Sequence, residues 1–190
     1  LSQGVAGLQF ARGRISRTSG LWCMPAPRIK TPPALDGRLD DWRGVAPAFI
    51  HTTRRASGAY ELIQVRRGPN SIGDENDIGA STFARWDEKN LYLALKVKDD
   101  DVQFPTGHRG PGTGDHAIIS IDTNLMDDLF DPRQSEDDFL IQIRMAGHEL
   151  QADLINSKNE SAKLESAYAN IKSGLESGFA IEIVCPWEKL

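Results

Sequence analysis

The sequence predicts an all-β protein: an antiparallel β-sandwich with an irregular N-terminal extension. Two observations predict it. Between Phe83 and Asp101, two stretches of alternating apolar and polar residues flank the turn Asp87-Glu88-Lys89-Asn90. Period-two alternation across a tight turn is the pattern of an antiparallel hairpin. Further short alternating stretches follow, bounded by turn-forming residues, which is the spacing of a many-stranded sandwich.

Each element follows from the residues in turn. Gly4 to Gly20 is rich in Gly, Arg and Ser without periodicity, so residues 1–24 read as a basic arm ahead of a sandwich domain over 25–190. Pro25, Pro27, Pro32 and Pro33 crowd the next segment, a density that only edge-strand or polyproline geometry tolerates. Asp36-Gly37 reads as a turn, followed by a short helical turn with Asp40 as its N-cap and Trp42 facing inward. Ala59 to Val65 reads as a strand and Gly68 to Asp77 as a polar loop. Ile78–Trp86 and Leu91–Val97 are the arms of the hairpin. Leu91, Leu93, Leu95 and Val97 share one face; Tyr92, Ala94, Lys96 and Lys98 share the other, which is expected to be wet.

Asp101 to Gly114 is a long loop rich in Gly and Pro, a natural binding rim. His116 to Asp122 reads as a strand, and an acidic loop runs from Thr123 to Asp138. Phe139–Met145 is expected to pair with Glu149–Ile155 across a turn at Ala146-Gly147. Ala162–Ile171 has helix-forming residues, but its strand neighbours and the alternation around Tyr168 favour a strand. In the last strand Phe179, Ile181, Ile183 and Cys185 fall on one face, and Pro186 ends it.

Composition sets bounds on function. The 190 residues are 39% hydrophobic and 26% charged, with a net charge of -5, which argues against nucleic acid as the main partner. No apolar run approaches the roughly 20 residues that span a bilayer. No acidic residue precedes Asp36, whereas Arg12, Arg14, Arg17, Arg28 and Lys30 do, so a basic arm precedes an acidic body. It reads either as a solvated tail or as an arm that docks on an acidic partner or an anionic membrane surface. Arg12, Arg14, Arg17 and Trp22 are its docking candidates. Cys23 and Cys185 lie near opposite ends and are read either as a long-range disulfide or as two separate thiols.

Enzyme signatures are scarce: there is no GxSxG, HExxH, phosphate-binding glycine loop or CxxCH, so the chain reads as non-catalytic. The acidic strand ends offer oxygen ligands of the kind a structural calcium ion takes, with Asp99, Asp100, Asp101 and Asp122 the candidates. Trp42, Trp86 and Trp187 lie in apolar patterned stretches and are expected in the core.

Four blocks, PALDGRLDDW, ARWDEKNLYLALKVKDDD, GDHAIISID and FAIEIVCPWEKL, together resemble the family 9 carbohydrate-binding modules and related DOMON-like β-sandwich domains. The resemblance covers roughly residues 28 to 190. It implies an extracytoplasmic, periplasmic or secreted, non-catalytic module that commonly carries structural calcium and holds a sugar between two tryptophans. This sequence departs from that pattern. Pro111-Gly112-Thr113 stands where the first stacking tryptophan is usual, and the chain ends three residues after Cys185-Pro186-Trp187, ahead of the second.

Three functions follow. One is a glycan-binding module using Arg85, Trp86, Arg109, Asp115 and Gln142. The second is an accessory subunit docked through its arm and exposed edges on a larger protein complex, membrane-bound or not. The third is a redox module holding b-type haem, for which Met126, Met145, His116 and His148 supply ligand types.

Overall fold

A computed structural model of the chain describes residues 26–51, 78–99, 117–124, 135–146, 149–173 and 176–190. The strand expected at Ala59–Val65 and the arm over 1–24 lie outside them. The strands are β1 (Ala48–His51), β2 (Ile78–Trp86), β3 (Asn90–Asp99), β4 (Ala117–Asp122), β5 (Asp138–Ala146), β6 (Glu149–Asn156), β7 (Ser161–Lys163), β8 (Glu165–Ser173) and β9 (Glu176–Pro186). They form two antiparallel sheets: a five-stranded sheet in the order β1-β2-β3-β9-β8 and a four-stranded sheet in the order β4-β5-β6-β7. The all-β sandwich expected from the alternation is the fold.

Alternation decides how the sheets meet. Leu91, Leu93, Leu95 and Val97 of β3, with Phe179, Ile181, Ile183 and Cys185 of β9, point to one side of the five-stranded sheet. There they join Phe139, Ile141 and Ile143 of β5 and Leu150, Ala152 and Leu154 of β6 in one buried cluster. Burying each such side chain contributes about 1.5–3 kcal/mol relative to leaving it exposed, so this seam is the main source of cohesion between the sheets. Cys185 is a free thiol within it, its pKa pushed up to about 11 by burial, with Lys189 opposing; Cys23 lies outside the described residues.

Two elements differ from the sequence reading. Ser161–Ser173 is not one strand of one sheet. Its first three residues pair with β6 and the rest with β9, and the buried Leu164 between them is where the chain crosses from sheet to sheet. Leu164 still donates its N–H to the carbonyl of Ala152 at 2.9 Å, so its N–H stays paired through the crossing. Nor is the outer face of β3 wet along its length. Tyr92 and Ala94 are buried there with Trp42, and Ile29, Leu39, Phe83 and Val184 pack around them. The cover is residues 26–45. This strap is tied at one end by Trp86 N–H to Pro27 O (3.2 Å) and Ile29 N–H to Trp86 O (2.8 Å).

Candidate functional site

The strap covers the centre of one outer face. At its turn, Gly37 adopts φ +76°, and a Cβ there would lie 2.4 Å from the Tyr168 carbonyl carbon, so only glycine fits. The turn hangs on Glu182, a carboxylate on the outer side of β9 with 0% exposure. Its Oε2 accepts the N–H groups of Asp36 (3.0 Å) and Gly37 (2.8 Å), and its Oε1 accepts Trp42 Nε1–H (2.7 Å). The following 3-10 turn, Asp40–Trp42, has Leu39 as its N-cap rather than Asp40. Asp40 is instead drawn to the Arg43 guanidinium at 2.6 Å. The centre of the five-stranded sheet is thus roofed by the chain's own segment.

The outer face of the four-stranded sheet carries a different array. Registered partners in antiparallel strands share a face, so the pairing can be read as rows. One row runs Ile118, Gln142, Asp153, Lys163 from β4 to β7. Beside it lies Ser120, Leu140, Ile155, Ser161, and on its other side Arg144 faces Gln151. The side chains between these positions, Ile141, Ile143, Ala152 and Leu154, are the inner core, which fixes the rows as outward.

The result is an aliphatic patch against a square of polar groups. Ile118 is 52% exposed and lies diagonal to the half-buried Leu140, which in turn faces the half-buried Ile155. In the square, Asp153 is 3% exposed despite its outward position; Gln151 Nε2 donates to its Oδ1 at 2.6 Å, and Arg144 Nη2 lies 2.8 Å from its Oδ2. Planar amides, a guanidinium and a carboxylate beside aliphatic side chains can bind a small amphipathic molecule by its edge and its face together.

Of the glycan-binding candidates, Arg85, Trp86 and Gln142 are among the described residues, and these three do not lie together. Gln142 lies in the square. Arg85 lies on the outer face of the other sheet, its guanidinium 5.7 Å from the Trp42 ring centroid and its buried Nε without a hydrogen bond. Trp86, at the end of β2, packs in part against the inner core with Arg28 over its ring at 5.6 Å; Arg28 also pairs with Glu88. Arg109, Asp115, Trp22, Arg12, Arg14 and Arg17 lie outside the described residues. Of the tryptophans expected in the core, Trp42 is fully buried, though between the strap that carries it and the outer face of β3 rather than between the sheets, and Trp187 is half-buried, donating Nε1–H to Asp87 O at 2.9 Å.

Among the described residues, no group of three or more His, Cys, Asp or Glu side chains could hold a metal ion. Asp99 and Asp122 end strands of different sheets, and Asp100 and Asp101 lie outside the described residues. Of the haem-ligand types, Met126, His116 and His148 also lie outside. Among the described residues no helix is long and apolar enough to cross a membrane.

Ile118, Arg144, Gln151 and Asp153 were not candidates from sequence. The signal that finds them is the β5–β6 register, in which Ala146 faces Glu149 and therefore Gln142 faces Asp153.

No family model and no curated protein matches the chain. Among solved structures, a family 9 carbohydrate-binding module from Caldicellulosiruptor kristjanssonii in complex with glucose is similar in fold over 84% of this chain and 68% of its own, with 18% identity and a TM-score of 0.42. A structure of a family 9 module from the same organism in complex with cellotriose is similar over 85% of this chain and 66% of its own, with 17% identity and a TM-score of 0.44. The chain thus spans about two thirds of the length of these modules.

Proposed function

We propose that this domain is a non-catalytic, extracytoplasmic module that binds glycan on the outer face of its four-stranded sheet. One observation carries the reading: the aliphatic patch of Ile118, Leu140 and Ile155 lies directly against the polar square of Gln142, Arg144, Gln151 and Asp153. A pyranose ring presents C–H groups on its face and hydroxyls at its edge. Burying the first against aliphatic carbon while pairing the second with amides and a guanidinium satisfies both. The centre of the opposite outer face is covered by the strap.

Titration calorimetry of the full chain with cellotriose, alongside a glycan array, tests this. Saturable binding is expected, weakened severalfold by Gln142→Ala, which removes a side chain outside the core. Folded protein that binds no glycan in either format overturns the reading.

A further inference from the structure

The buried Asp153 is unusual for its place. Strand positions that face outward do not ordinarily hold an almost fully covered carboxylate, because removing its charge from water costs more than the sandwich recovers unless partners replace the solvent. Its partners lie across the β5–β6 ladder. Arg144 stands one register step along β5 from Gln142, which faces Asp153, and reaches diagonally to put Nη2 2.8 Å from Oδ2. Gln151, on Asp153's own strand, closes the other oxygen at 2.6 Å. Oδ2 receives no well-directed hydrogen bond, so the guanidinium holds it by charge more than by a bond of good angle. The arginine itself is not buried, its side chain being 42% exposed. Its side chain is thereby anchored at Nη2 while part of it stays open to solvent.

We propose that Arg144 is the hydroxyl-reading residue of this face and Asp153 its positioning residue, so that the site takes a neutral sugar and disfavours a carboxylated one. The inference rests on the glycan reading above. A guanidinium above a buried carboxylate is a neutral pair. The exposed Lys163 opposite Asp153 is offset in sign by the exposed Glu149, the next outward position along β6 from Gln151, so these four side chains together carry no net charge. The pair keeps directional N–H donors for hydroxyl or ring oxygens, yet offers little net attraction to an anion, and the carboxylate beneath repels one. Gln142 and Gln151 flank the pair with amides that both donate and accept, which again matches hydroxyls rather than carboxylates. Without its acid, Arg144 would stand as an uncompensated cation and the preference would shift towards acidic sugars.

The test is calorimetric titration of the full chain and its variants with two probes, cellotriose and a glucuronic acid-containing trisaccharide, with far-UV circular dichroism for folding. Wild type is expected to favour the neutral probe. Arg144→Ala should lose about tenfold or more towards it, with Arg144→Lys restoring only part, because a point charge cannot replace a planar fork. Asp153→Asn should narrow or reverse the ratio of neutral to acidic affinity. The control Arg43→Ala, on the strap, should change nothing. Unchanged binding in Arg144→Ala overturns the proposal while leaving the glycan reading intact. Equal weakening of both probes in Asp153→Asn, with the ratio kept, reduces Asp153 to a structural acid and overturns it too. If Asp153→Asn does not fold, the ratio measured in Arg144→Ala decides, since loss of a hydroxyl reader must penalise the neutral probe more. Wild type that binds neither probe removes the inference together with the reading on which it rests.

Discussion

Asp87 shows how much a single side chain can organise at the end of a hairpin. Its Oδ1 accepts the N–H groups of Lys89 and Asn90, each at 2.8 Å, and its Oδ2 accepts the Tyr92 hydroxyl at 2.7 Å. The Tyr92 bond is the main reason the Asp87 carboxyl is held below its ordinary 3.8. Burial, and then the same bond, raise Tyr92 above its ordinary 10.0. The signs give a window. A carboxylate with a lowered folded pKa stabilises above its unfolded value and loses that contribution as pH falls through the folded one. A phenol with a raised folded pKa stabilises below its unfolded value and loses it as pH rises through the folded one. Tyr92→Phe should therefore lower the melting temperature most between about pH 4 and 10, with the gap to wild type closing towards both extremes. A gap independent of pH would show that the hydroxyl does not couple to Asp87. The turn itself was legible in Asp87-Glu88-Lys89-Asn90, because Asp and Asn carry their own signal for bonding nearby backbone. Glu182 was not. In Phe179-Ala-Ile-Glu-Ile-Val-Cys185 it sits at an outward position where a solvated carboxylate is the ordinary outcome, and its partners are some 145 residues away.

The strap is where the elements depart most from a reading by period alone. Alternation told which residues of β3 and β9 share a face, and those assignments hold. It could not tell that the second face is covered, since the covering segment has no periodicity and is tied by backbone bonds and one buried acid. The same limit applies to Ser161–Ser173, where alternation continues across Leu164 although the pairing partner changes. Glu182 is the strap's main tether, so Glu182→Ala leaves three donors without an acceptor and should destabilise by about 3 kcal/mol or more. Chemical denaturation with tryptophan fluorescence reads both the loss and the exposure of Trp42. A variant as stable as wild type would mean that packing around Trp42, not the carboxylate, holds the strap. On the other sheet, Gln142 was the one member of the polar square visible beforehand; the rest depend on the β5–β6 register, which a hairpin turn displaced by one residue misplaces.

At the scale of the whole molecule, the described residues join the two sheets along one long side. β7 and β8, separated only by the buried Leu164, are the last strands of their respective sheets, while β1 and β4 are the last strands on the other side. The sandwich is therefore bound like a book, with Leu164 in the spine and β1 and β4 at the fore-edge. Transient opening of such an object pivots about the spine. Amide hydrogen exchange should be slowest for β6, β8 and β9 and should quicken towards β4, whose inward Ala117, Ile119 and Ile121 are only half-buried. Uniform protection across both sheets would mean that they separate only on complete unfolding. The polar square lies on the cover nearer the spine, and Ile118 lies at the fore-edge. A ligand spanning both would close the book, raising protection in β4 without touching its inner face.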